Sequence, residues 1–199
     1  MQPSKRRIIG LVGASLWLII ISLVFIVWSF VAIATPIARL MFIVSILFTF
    51  VFITISIIVI RITLNLPTKT EPRSPEEKKI WRKFAWVFGA EIIAFSVINP
   101  ILATSRNYEL MPSLNLLIVG IHFFPLAKIF RVPRYNITGI SFCVIPIVTL
   151  LAIPRQFEIG LTLAWYVVPS LGCGLVAILT AVAALYESWQ SILKIRGVA

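Results

Sequence analysis

Aspartate is absent from this chain, and histidine occurs once, at position 122. Without aspartate an aspartyl catalytic dyad cannot be built. One histidine makes a histidine- or aspartate-based metal centre implausible, because such centres take three or four ligands. No His-Glu-x-x-His, Gly-x-Ser-x-Gly or phosphate-cradling glycine loop is present. Cysteine is scarce too. Cys143 and Cys173 both lie within apolar runs, with neither a zinc spacing nor a disulfide framework, and they read as small packing residues. Charge is the other shortage. Charged residues make up 13% of the chain, about half the share usual in soluble domains. No catalytic residue, cofactor or metal is expected from these parts.

What fills the chain instead is apolar. Hydrophobic residues reach 60%, against ~45–50% for soluble proteins, and the mean hydropathy is +1.03. A bilayer crossing needs ~20 apolar residues in succession, and such runs recur until the length is used up. The expectation is an all-α, polytopic transmembrane helix bundle forming one integral membrane domain over 1–199. Six spans are predicted, at about 8–31, 37–60, 84–103, 112–130, 135–153 and 159–186. The largest polar segment, 62–83, is a loop. Within it Ser74-Pro75-Glu76-Glu77 reads as a helix start, with serine as cap, proline at the first helical position and Glu77 completing a capping box. The tail 187–199 sets Trp189, Ile192 and Leu193 against Lys194 and Arg196, the pattern of a short interfacial segment.

The sign of the charge gives orientation. The net charge is +11. The basic residues flank apolar runs, as membrane topology requires, and do not form a nucleic-acid surface. With the N-terminus inside, fifteen lysines and arginines fall on the inner side and three, Arg39, Arg106 and Arg155, on the outer. That bias over short loops places both termini in the cytoplasm of a plasma membrane of bacterial type. The lipid bilayer is the expected partner, with anionic head groups at the basic loop 62–83 and no nucleic acid. Ala32-Ile33-Ala34 looks like a signal-peptidase site, but the preceding apolar run is longer than the ~7–15 residues of a signal-peptide core. The sequon Asn136-Ile137-Thr138 falls at the inner end of span five and reads as chance.

Small polar residues repeat at sevens, which return to nearly the same helix face. Span one carries Ser15, Ser22 and Ser29, and span two carries Thr49, Ser56 and Thr63. They predict seams along which the first two helices approach closely, with hydroxyls available to bond across. Ala177 and Ala181 form a weaker seam in span six.

Two ionisable groups fall well inside the hydrocarbon, Glu91 in span three and His122 in span four. Buried charges in membranes are costly unless paired or neutralised, so they are functional candidates. Glu91 stands about 10 Å from the inner surface and His122 about 12 Å, at 1.5 Å per residue. Reflecting the hairpin about its turn near Asn107 brings them level, and sets Asn99 opposite Asn115. Two polar layers are thus expected between spans three and four. Either they are interhelical hydrogen bonds, or they form a proton-titratable or ligand-binding site made of Glu91, His122, Asn99 and Asn115. The first suits a non-catalytic accessory, sensor or assembly protein. The second suits a small transporter or permease-like protein, and behind it a lipid-modifying enzyme in which Glu91 and His122 act as an acid–base pair, although no nucleophile or substrate is indicated. The string Gly120-Ile121-His122-Phe123-Phe124-Pro125 before a basic turn resembles one seen in a family of small bacterial multi-pass membrane proteins of undetermined function. The resemblance covers span four and implies membrane residence without an activity.

Overall fold

The computed structural model describes residues 5–33, 36–65, 75–160 and 162–196. Six α-helices account for nearly all of them: α1 (Lys5–Ile33), α2 (Pro36–Leu64), α3 (Pro75–Thr104), α4 (Met111–Phe130), α5 (Arg134–Ala152) and α6 (Ala164–Arg196). In a bilayer a helix satisfies its own backbone polar groups, which an isolated strand cannot do. Five of the six are long and apolar enough to cross a membrane; in α1 the apolar stretch with described side chains is the shorter Ile8–Leu23. Pro100, Pro125, Pro146 and Pro169 sit inside α3, α4, α5 and α6 without ending them.

The bundle is built round α6. It makes the largest helix–helix contact, with α1, and also packs on α5, α4 and α2. Ala177, Ala181 and Ala184 on α6 are fully buried, small enough to let neighbours come close. A core cluster of Leu18, Ile19, Leu116, Phe123, Phe142 and Cys173 joins α1, α4, α5 and α6. Towards the outside, α2 packs chiefly on α1, and α3 packs chiefly on α4. Beyond its basic first turns, with Lys78, Lys79, Arg82 and Lys83 exposed, α3 exposes apolar side chains, Trp86, Ile92, Ile93, Val97 and Ile101, as a lipid-facing surface should.

Glycine sets one of these contacts. A β-carbon on Gly139 of α5 would lie 2.9 Å from the Gly120 carbonyl oxygen of α4. One on Gly120 would lie 3.1 Å from the backbone of both Gly139 and Cys143. The two helices therefore touch backbone to backbone, two residues from His122.

The structure corrects the predicted sixth span at both ends. The helix starts at Ala164, not near 159. Ahead of it Glu158–Ile159 pairs antiparallel with Thr162–Leu163, and Gly160 turns the chain at φ 68°. The Ala164 amide donates to the Phe157 carbonyl and closes this small hairpin at 2.8 Å. At the other end α6 runs unbroken to Arg196, so the tail is not a separate interfacial segment. Ile192 of that tail is buried against Ile8, Val12 and Val59, while Trp189 stays exposed.

The serine and threonine seams are buried, but their hydroxyls do not bond across. Ser15 donates to Val12, Ser22 to Leu18, Thr49 to Ser45 and Thr63 to Val59, each a carbonyl of its own helix. Ser56 has a buried hydroxyl with no partner. The Ser22 turn meets α6, where a β-carbon on Gly174 would approach Ile26 and the Ser22 carbonyl. The Ser29 side chain, the Ser74 cap, the Glu77 side chain and the basic loop from 66 to 74 lie outside the described residues.

Candidate functional site

The helix 3–4 hairpin is held in register by its turn. The Asn107 amide donates to the Leu102 carbonyl at 2.9 Å, and the Leu110 amide to Asn107 at 3.1 Å. Arg106 adopts a left-handed φ of 57°, and a short 3-10 turn, Tyr108–Leu110, leads into α4. From that fixed turn both helices run back at 1.5 Å per residue. Equal distances along them meet at equal depth.

Glu91 and His122 do meet. The Glu91 Oε2 and His122 Nδ1 atoms are 3.2 Å apart, and the side chains are only 11% and 10% exposed. The contact has ion-pair distance but an off-axis approach, so it is not a well-formed hydrogen bond, and Nδ1 has no other partner. Two phenylalanines wall the imidazole. Phe88 on α3 and Phe123 on α4 meet it edge-on, with ring centroids 6.2 Å and 6.4 Å away. Phe123 is in turn seated on Tyr135 and Phe142 of α5.

This arrangement suits proton exchange. With one proton between them the two groups are neutral as a pair, whether the proton sits on the carboxyl or the imidazole. A second proton makes the pair cationic, and loss of the first makes it anionic. Both changes are penalised in an apolar setting. Burial and pairing pull the two affinities in opposite directions. Proton loading therefore bears on the contact that joins α3 to the rest of the bundle.

In the other predicted layer the two amide oxygens make no hydrogen bond across the hairpin. Asn99 and Asn115 each bury an Oδ1 with no hydrogen-bond partner, so neither accepts from the other. Among the described residues no three potential metal ligands gather in one place.

Some polar links were not foreseen from sequence. Arg155, in the turn after α5, bonds Asn107 at 3.0 Å and also Glu109, tying the two turns on one side. At the opposite ends of the helices Arg134 pairs with Glu187 at 2.7 Å. Inside the bundle the Thr138 and Thr180 hydroxyls bond at 2.8 Å. The aromatic walls of His122 were also missed, although Phe123 stands next to it in the Gly-x-His-Phe string.

The chain matches no protein-family model, no curated protein and no solved structure.

Proposed function

We propose that this is a bacterial plasma-membrane protein of six spans with both termini in the cytoplasm, acting as a small proton-linked transporter or permease-like protein. The Glu91–His122 contact is its exchangeable element. The observation that carries this reading is the 3.2 Å approach of two ionisable side chains, one from each helix of a hairpin, within segments apolar enough to span a membrane. Such groups are retained at a cost in stability and are functional candidates for that reason. The resemblance of the Gly120–Pro125 string to small bacterial multi-pass proteins supports the location, and the charge bias supports the orientation. The basic loop 62–83 sits against anionic head groups on the inner face.

Proton flux into pyranine-loaded proteoliposomes under an imposed potential tests the activity. The wild-type protein should exceed protein-free vesicles, and Glu91→Gln and His122→Gln should each abolish the excess while remaining folded. A wild-type rate equal to that of empty vesicles sinks the transport reading.

A second reading has its own support. α3 packs on the bundle chiefly through one neighbour, α4. A helix so held, with a titratable contact, can dock to or part from a partner in an accessory or assembly protein. In that case Glu91→Gln would change a partner's association and leave flux untouched.

A further inference from the structure

The turn between α4 and α5 is short and basic: Arg131-Val132-Pro133-Arg134. Arg131 caps α4 in a left-handed conformation at φ 54°, and Val132 is buried and anchors the turn. With Glu187 of α6 these four residues line a cavity of about 170 Å³. One water takes only ~30 Å³ in the liquid, so a polyatomic group fits. The charge balance is two guanidinium groups to one carboxylate. Glu187 engages Arg134 through Nη1 alone. The Nε and Nη2 atoms of Arg134 are shut off from solvent and have no partner. A guanidinium is a planar fork whose donors match phosphate oxygens, and two guanidinium groups line this cleft. Arg131 pairs with no carboxylate among the described residues.

The cavity lies where three apolar helices reach the membrane edge. Beside it, Phe130, Ile137, Tyr186 and Trp189 are exposed. Aromatic rings of this kind gather at head-group level, and the apolar side chains continue the surface towards the hydrocarbon. We propose that this cleft binds the phosphate of an anionic phospholipid, held by the guanidinium groups of Arg131 and Arg134 that line it, with the acyl chains running along α5 and α6. Basic pockets between helices at a membrane edge take anionic head groups by this chemistry. The site is independent of Glu91 and His122 and of which side of the membrane faces the cytoplasm.

Native mass spectrometry of the full chain released from detergent tests it. Phosphatidylglycerol and phosphatidylcholine of equal chain length compete, and inorganic phosphate serves as the soluble arm. Wild-type protein should retain phosphatidylglycerol preferentially. Arg131→Gln should weaken that retention about fivefold, the effect of one cation at a membrane surface. Arg61→Gln, an equally basic change on α2 away from the cleft, should not. Arg134→Gln removes the ion pair with Glu187 and risks misfolding, so Glu187→Gln is the second variant. By removing the carboxylate that lines the cleft and freeing Nη1 of Arg134 it should raise phosphatidylglycerol retention, whereas a purely structural ion pair would give no rise. Equal retention of the two lipids, or Arg131→Gln and Arg61→Gln behaving alike, overturns the proposal. Stabilisation by inorganic phosphate without any lipid preference also overturns it and assigns the cleft to a soluble anion.

Discussion

Gly139→Ala is the most direct probe of how the candidate site is held. The added methyl would sit 2.9 Å from the Gly120 carbonyl oxygen, 3.1 Å from the Phe123 β-carbon and 3.3 Å from the Phe124 ring. The first two cannot swing aside, because one is backbone and the other is fixed to it. Ordinary contact begins at 3.4 Å, so α4 and α5 must part by about 0.5 Å at this crossing. Overpacking of this kind costs ~1–3 kcal/mol. Alanine also favours a helix over glycine by ~0.8–1.0 kcal/mol, which offsets part of the loss. Gly89→Ala isolates that second effect: a β-carbon there meets nothing within 4 Å. Gly89→Ala should therefore be neutral or stabilising, and the gap between the two variants is the packing term, ~1–3 kcal/mol. Reversible unfolding by a denaturing detergent in mixed micelles measures both. The change also presses on Phe123, whose ring lies edge-on to His122, so Gly139→Ala should slow any Glu91-dependent flux and Gly89→Ala should not. If the two variants unfold together, the helices do not touch at Gly120 and Gly139, and the account of how His122 is placed fails.

Other outcomes follow from the same packing. Glu91→Gln and His122→Gln should lose less together than the sum of the singles, by about 0.6 and at most ~1.7 kcal/mol for an intramembrane pair; strict additivity would separate the groups. Glu91→Cys with His122→Cys should cross-link readily, and Glu91→Cys with Asn115→Cys should not. Ser56→Ala removes a buried hydroxyl that has no partner and should be neutral or stabilising, while Ser56→Leu should cost ~1–3 kcal/mol; a loss on Ser56→Ala would mean that the hydroxyl has a partner after all. Reporter fusions at Asn107 and Arg155 should read external and those after Thr70, Arg131 and Ala199 internal, and an external C-terminus would refute the six-span topology.

The reach of the sequence has a physical limit here. Helix number is a property of one chain segment at a time, and it was legible. Neighbour choice was not. In water, burial follows hydrophobicity, so an apolar stripe reveals the inner face. In lipid both faces are apolar. Phe50 is 73% exposed and Phe142 fully buried, and Leu151 is 82% exposed while Leu116 is fully buried, yet nothing in the residue types separates them. The serine pattern of α1 suggested α2 as partner, but the largest surface of α1 is given to α6. The alanines of α6, a faint signal beside those serines, mark the centre of the bundle. Gly120 and Gly139 mark a crossing only once α5 is known to lie beside α4.

The polar residues of α3 show how far one correct contact constrains the rest. Glu91 facing His122 sets the rotation of α3 about its axis. Eight residues further, an ideal helix has turned about 80° past that line, so Asn99 is carried away from the direction in which Glu91 meets α4. On α4 the interval is seven, and Asn115 and His122 keep nearly one face. The two intervals differ by a residue, and a pair of straight helices cannot satisfy both layers. The ionisable layer is the one that closes, because leaving a carboxyl and an imidazole unpaired in an apolar setting costs more than leaving two amides unpaired. The unpartnered oxygens of Asn99 and Asn115 are the counterpart of the contact between Glu91 and His122.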